Sequence, residues 1–262
     1  MTKTTLHSLL QHRRVKVGHF VVEFATPGIG HMLRNAGCDF VFLDLEHSGF
    51  GFETVKAALR FFEAADVPVM LRVPSKETHH IARAMDMGAE GMIVPMLGTA
   101  DQARIVLAAM KYAPEGTRGV ALGIAHDAYR SAPVHEALAA ANRRSVFIAL
   151  IETEEGIENV EAIAAVDGVD CLWVGHFDLS VSMGIPGDFA NPRFVAALLR
   201  IQAAARAHGK SLGRMVPSPE AAREAFMQGA DFICYSGDVW LFQQALSQGV
   251  TAIRLSCEGE SR

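Results

Sequence analysis

The sequence has no excess of positive charge, no cysteine framework and no long apolar run. Its 24 Lys and Arg stand against 29 Asp and Glu, a formal charge of −5. The doublets Arg13-Arg14 and Arg143-Arg144 are isolated, so no basic footprint for a nucleic acid is present. Four cysteines, Cys38, Cys171, Cys234 and Cys257, lie far apart, three of them inside apolar runs. That spacing suits neither a zinc site nor a disulfide framework and reads as reduced, buried thiols. Residues 1–15 are polar and helix-like, without the apolar core of a signal peptide. No run approaches the ~18–20 apolar residues of a membrane span. These absences predict a soluble, cytoplasmic protein with no membrane or nucleic-acid partner.

What is present is apolar and regularly punctuated. Half of the 262 residues are hydrophobic, and about 250 residues is an ordinary length for a single barrel domain. Eight short β-rich runs can be marked, at 17–24, 39–45, 68–73, 91–96, 146–152, 171–176, 212–216 and 232–236. Helical periodicity fills most of the intervals. Val55, Ala58, Leu59 and Phe62, for example, fall at i, i+3, i+4 and i+7, an amphipathic stripe. Apolar strands alternating with helices indicate a parallel sheet covered on its outer face.

The pattern Gly-x-Asp/Glu recurs before alternate runs, at Gly37-Cys38-Asp39, Gly88-Ala89-Glu90, Gly168-Val169-Asp170 and Gly229-Ala230-Asp231. Each Gly suits a left-handed helix terminus ahead of a strand. The predicted fold class is therefore α/β, a (β/α)₈ TIM barrel spanning residues 1–262, with an open doubly wound sheet as the alternative. Residues 1–16 read as a helical lead-in and residues 256–262 as a frayed tail. Residues 114–145 form one long interruption between the fourth and fifth strands, of a kind that tends to carry function.

Barrel active sites lie at the C-terminal ends of the strands. The second run ends at Asp44-Leu45-Glu46-His47, the third at Arg72, the fifth at Glu152 and the sixth at His176-Phe177-Asp178. Carboxylates of Glu152 and Asp178 on neighbouring strand ends suit Mg²⁺ or Mn²⁺, which take oxygen ligands and leave positions for substrate. A helix N-cap for Asp178 and a surface ion pair for Glu152 are the plainer readings. Arg72 offers paired donors to a carboxylate or enolate oxygen, or else pairs with a neighbouring acid. His47 is of the residue type that carries protons near neutral pH, and Asp86 could orient it.

In this order the motifs have a precedent. The segments Phe40–His47, Leu71–Pro74, Met87–Met96, Arg118-Gly119, Ile151–Thr153 and Val174–Ser180 resemble the HpcH/HpaI family of class II pyruvate aldolases, across about Leu6 to Leu255. The resemblance implies a phosphoenolpyruvate/pyruvate-type barrel with Glu152 and Asp178 as ligands of Mg²⁺, Mn²⁺ or Co²⁺. It implies Arg72 as the group holding the 2-oxo acid and His47 with Asp86 as the acid/base dyad. It further implies a homo-oligomer, usually a hexamer, with the mouth completed by a neighbouring subunit. The substrates would be a 2-oxo acid, pyruvate or hydroxypyruvate, and an aldehyde. Two departures stand out. The substrate-binding turn reads Gly175-His176-Phe177-Asp178 where the family usually has Gly-Pro-Ala/Ser-Asp, and Leu150 replaces a common Gln.

Three other functions compete. A Schiff-base aldolase needs a desolvated lysine in the mouth. Of Lys3, Lys16, Lys56, Lys76, Lys111 and Lys210, only Lys76 comes near the rim. An acyl-CoA lyase of the citrate lyase-like barrels would want a basic patch. A non-catalytic ligand-binding barrel would not need the ligand, clamp and base positions together.

Overall fold

A computed structural model describing residues 3–258 has the closed barrel and not the open doubly wound sheet. The strands are β1 (Lys16–Val21), β2 (Phe40–Asp44), β3 (Val69–Arg72) and β4 (Gly91–Val94). They continue with β5 (Val146–Ile151), β6 (Val169–Val174), β7 (Ser211–Val216) and β8 (Phe232–Gly237). Each pairs in parallel with the next, and β8 closes on β1. Helices α1 (Leu6–Leu10), α2 (Ile29–Asn35), α3 (Phe52–Ala64) and α4 (Thr78–Asp86) accompany the first half. The second half carries α5 (Ala100–Met110), α6 (Val134–Arg144), α7 (Glu154–Glu158) and α8 (Val160–Ala164). The last four are α9 (His176–Ser182), α10 (Pro192–Ala207), α11 (Pro219–Met227) and α12 (Asp238–Glu258). No helix among the described residues is long and apolar enough to cross a membrane.

Strand alternation sorts side chains into two cores. Phe20, Phe42, Met70, Ile93, Leu150, Trp173 and Phe232 fill the barrel interior. Val41, Leu43, Leu71, Ala149 and Leu172, one step out of phase, pack outward on the helices. The α3 stripe of Val55, Ala58, Leu59 and Phe62 is buried there as its periodicity predicts. Helix α1 closes the N-terminal end of the barrel, with Leu6 and Leu9 buried in the interior cluster.

The four punctuating glycines, Gly37, Gly88, Gly168 and Gly229, have φ of 88°, 96°, 93° and 98°. That left-handed backbone is accessible to glycine at no steric cost. These turns end α2, α4, α8 and α11 ahead of the even strands.

Strand and helix boundaries shift from the sequence expectation at several places. The lead-in helix stops at Leu10 and β1 already begins at Lys16. Strand β4 ends at Val94 rather than Met96, which takes a φ of 55°. His176 starts α9 instead of ending β6. Residues 256–258 continue α12 rather than fraying, and 259–262 lie outside the described residues. The interruption at 114–145 does not reach the mouth of its own barrel. It joins the end of α5 to the start of β5 at the N-terminal end of the barrel, where Arg60 at the end of α3 donates to Ala125 O.

All four cysteines are free. Cys171 and Cys234 are buried inside the barrel, where desolvation pushes both thiols well up. Cys38 is only partly buried and Cys257 is exposed, so the expectation of buried thiols holds for two of the four.

Candidate active site

At the C-terminal end of β2 the chain turns around Asp44, which is fully buried. Its carboxylate accepts from Arg72 Nε at 2.7 Å and Arg72 Nη2 at 2.8 Å. It also accepts backbone N–H groups of Glu46 at 3.1 Å and His47 at 3.0 Å. A buried carboxylate needs such partners, and here the same four bonds fix both the turn and the guanidinium. Arg72 Nε also lies 3.2 Å from Glu46 Oε2. The planar fork meets Asp44 along its Nε–Nη2 edge, which leaves Nη1 unengaged by any protein acceptor among the described residues. Arg72 is thus half of a buried ion pair, the plainer of its two readings, and its Nη1 stays free of protein acceptors. Its guanidinium lies over the rings of Phe42, at 5.4 Å, and Phe20, at 5.7 Å.

We expect Arg72→Ala to weaken 2-oxo acid binding and turnover by about 2–5 kcal/mol. It should also lower the melting temperature, because Asp44 is stranded without its cation. Arg72→Lys should restore much of the stability but only part of the turnover, since an ammonium has no planar fork. Kinetics and melting scans on both variants check this. Wild-type kinetics in Arg72→Ala would leave the residue with its structural role alone.

Across the mouth, β5 delivers Glu152, which is 2% exposed. Its Oε1 accepts Met96 N at 2.7 Å, so the turn after β4 holds it in place. A Cβ on Gly175 would collide with Glu152 Oε2, which is the local reason glycine follows β6. Burial raises the Glu152 carboxyl to about 7, with Glu46 and Asp178 adding repulsion, against the Met96 hydrogen bond and Arg72. Burial likewise raises Glu46, which feels Asp178 as well. Three carboxylates therefore repel one another across one opening, an arrangement a cation relieves. Asp178 is exposed and occupies the third position of α9; Gly175, not Asp178, is the N-cap. Among the described residues no three His, Cys, Asp or Glu side chains gather as a complete cage. The donor set fits a hard dication that takes two carboxylates from the protein and its remaining oxygens from substrate and water.

The sequence-derived residues are not all brought together. His47 projects into solvent with its side chain 61% exposed and Nε2 3.8 Å from Glu46 Oε2. Asp86 is not its partner within one chain. It ends α4, at the opposite end of the barrel, where Oδ1 accepts Arg118 Nε at 3.2 Å and Nη2 at 2.5 Å. Arg118 is in turn buried against the Tyr112 ring at 4.4 Å. His176 packs against the rings of Phe177, at 4.5 Å, and Phe189, at 5.3 Å. Desolvation first, then the Arg214 charge, lowers its imidazole to about 4. Leu150 lies inside the barrel one layer below Glu152.

Lysine chemistry has no support in the mouth. Lys76 Nζ donates to Met96 O at 2.7 Å and Gln102 Oε1 at 3.3 Å. The buried lysine, Lys16, opens β1 at the far end and is held by Asp231 at 2.7 Å. The residue that sequence reasoning passed over is Asp44. Its signal is parity: with Phe40 and Phe42 it shares the inward face of β2, so a charged group there must meet a cation in the mouth.

A family model described as HpcH/HpaI aldolase/citrate lyase matches residues 18–245. The chain belongs to this family. It is 32% identical over 245 residues to the 5-keto-4-deoxy-D-glucarate aldolase of Klebsiella pneumoniae, covering 94% of each chain. It is 34% identical over 228 residues to the hydroxypyruvate/pyruvate aldolase of Chromohalobacter salexigens, covering 87% of this chain and 89% of the relative. The crystal structure of an HpcH/HpaI aldolase from Desulfitobacterium hafniense superposes with a TM-score of 0.90 at 28% identity, covering 96% and 97% of the two chains. The fold and the enzyme class, a carbon–carbon lyase, follow from membership, and dependence on a divalent metal is typical of the family's aldolases.

Proposed function

We propose that the protein is a class II aldolase that cleaves or forms 4-hydroxy-2-oxo acids, with pyruvate or hydroxypyruvate as the 2-oxo acid. The observation that carries this reading is the Arg72 fork, oriented by Asp44, facing the buried Glu152 across one mouth. Glu152 and Asp178 would hold Mg²⁺, Mn²⁺ or Co²⁺, a Lewis acid that draws electron density from the 2-oxo group. Arg72 binds the carboxylate or oxyanion of the 2-oxo acid through its free donors. In cleavage, His47 takes the proton of the C4 hydroxyl and the C3–C4 bond breaks. Its electron pair passes to C3 and the 2-oxo oxygen, and the aldehyde leaves. C3 then takes a proton to give the free 2-oxo acid. Pyruvate release from a panel of 4-hydroxy-2-oxo acids, with borohydride added in parallel, tests the assignment. Turnover that resists borohydride is expected. A reduced adduct on Lys76, or no cleavage of any panel member, would overturn it.

The dyad requires a second copy, because Asp86 lies at the wrong end of its own barrel. A homo-oligomer, the hexamer implied by the resemblance, would supply it, and α12 supports such an assembly. That helix has 21 residues, about 30 Å, and from Phe242 onward every described residue is exposed. Phe242, Leu246, Val250 and Ile253 are 56%, 55%, 38% and 64% exposed and fall on one stripe of the helix. Light scattering should show a multiple of 28.3 kDa, reduced by Leu246→Glu with Ile253→Glu. A wild-type mass near that of one chain at micromolar concentration would contradict the assembly. Mixed oligomers of His47→Ala and Asp86→Asn subunits should exceed the mean activity of the two parent variants if the dyad forms between copies.

A further inference from the structure

The mouth divides into two sectors of different chemistry. Strands β2 to β6 end in the charged apparatus: Asp44, Glu46, His47, Arg72, Glu152 and the turn to Asp178. A 2-oxo acid held between Arg72 and the Glu152–Asp178 pair fills that side. The opening that remains lies over β7, β8 and β1, beside His47 on β2. The partner of the C–C bond must extend there.

That second sector is apolar and built to be firm. Met215 of β7 and Val22 after β1 pack on the barrel interior. Trp240, in the first turn of α12, lies parallel to Phe20, with ring centroids 5.8 Å apart and planes at 7°. Phe20 in turn lies beneath the Arg72 guanidinium, so this aromatic ledge is continuous with the clamp. Gly237 makes room for it: a Cβ there would fall 2.6 Å from the Trp240 ring. Asp238 locks the arrangement, its carboxylate accepting N–H groups of Val22, Glu23 and Phe24 after β1, and of Val239. The Trp240 side chain still leaves the residue 49% exposed. It lies on the face of α12 away from the Phe242–Leu246–Val250 stripe, so covering that stripe does not require covering the ledge. The cation beside this ledge is Arg72, over the Phe20 ring; Arg214 of β7 donates to Gln228, and the Asp238 carboxylate is buried and taken up by backbone N–H groups.

We propose that the acceptor aldehyde carries an uncharged alkyl or aryl substituent that rests on the Trp240–Phe20 ledge, and that Trp240 sets this preference. The inference rests on the aldolase reading and adds the acceptor's chemical class. A second carboxylate or a phosphate on the acceptor would meet aromatic faces there, while the adjacent cation, Arg72, is already shared between Asp44 and the 2-oxo acid. An apolar group loses water against the indole instead.

The test measures kcat/KM for addition of pyruvate to benzaldehyde and isobutyraldehyde against succinic semialdehyde and glyoxylate. It uses the wild type, Trp240→Ala and Trp240→Phe, each checked for fold by its melting curve. Exchange of the pyruvate methyl hydrogens with D₂O, with no aldehyde present, reports enolisation separately. The wild type should favour the neutral acceptors by about tenfold or more, the scale on which apolar pockets discriminate. Trp240→Ala should erase that ratio mainly through KM for the neutral aldehydes, and Trp240→Phe should retain most of it. Intact exchange with a preference for the carboxylated aldehydes, or with a ratio unmoved in Trp240→Ala, overturns the proposal alone. A wild type that neither exchanges nor condenses overturns the aldolase reading, and this inference with it.

Discussion

Glu152→Gln should abolish aldol cleavage as completely as a chelator does, while the wild type treated with chelator recovers with Mg²⁺, Mn²⁺ or Co²⁺. The amide keeps the shape and can still accept Met96 N, but it removes the charge that a dication needs. The same carboxyl predicts a pH dependence. Its pKa in the folded protein is about 7, and a ligand must be deprotonated to bind. Metal affinity should therefore weaken by roughly tenfold per pH unit below 7, measured by titration calorimetry on metal-free protein. The stability effect has the opposite sense in the absence of metal. Between the ordinary carboxyl range and 7, the folded state binds a proton that the unfolded state has released. The Glu152 contribution to stability is thus lost as pH rises through that window, and metal restores it above 7. Metal-free Glu152→Gln has no such charge to bury and should melt above the metal-free wild type at pH 8. A chelated wild type that retains full turnover, or an apo variant that melts lower at pH 8, would count against Glu152 as a ligand.

The barrel was legible because its signals are local. A left-handed turn wants glycine, a covered strand wants continuous apolar residues, and a helix on a sheet wants one buried stripe. Each can be read at Gly88, along Val146–Ile151 and on α3 without knowing what lies opposite. The placement of candidate residues was legible where strand position suffices, as for Arg72 and Glu152 at the ends of β3 and β5. It was not legible where the partner is distant in sequence. Nothing near Arg72 reveals that Asp44, 28 residues away, occupies one edge of its fork. Asp86 shows the converse limit. Its neighbour Arg118 is 32 residues away, and spacing alone could not say which end of the barrel a helix terminus faces. His176 was placed on a strand because Val174-Gly175-His176 continues an apolar run. Glycine ends β6 earlier, since a side chain at 175 would strike Glu152.

His47→Ala should lose roughly 10²–10⁴-fold in aldol cleavage, the usual worth of a positioned proton carrier. Binding of pyruvate and metal should change little. The Asp44–Arg72 pair is untouched, and Asp44 takes only the backbone N–H of residue 47, which alanine retains. Decarboxylation of oxaloacetate, if catalysed, separates the steps further. Loss of CO₂ needs the clamp and the electron sink but no proton taken from a hydroxyl, so it should survive better than cleavage. Asp86→Asn should show a smaller loss of the same pattern, visible only in the assembled protein, because the carboxylate is remote from His47 within one chain. The competitor is His176, beside Asp178 on the same turn. Its imidazole is held neutral at physiological pH by burial and by Arg214. Its ring is engaged by Phe177 and Phe189. A group so desolvated is hard to protonate, which ill suits it to carry the hydroxyl proton through a cycle. His176→Ala should accordingly disturb substrate affinity through the turn more than the cleavage step itself. Measuring kcat for cleavage, KM and the decarboxylation rate in both alanine variants decides the matter. If cleavage falls only in His176→Ala, the proton carrier is His176 and the exposed imidazole of His47 is a bystander at the rim.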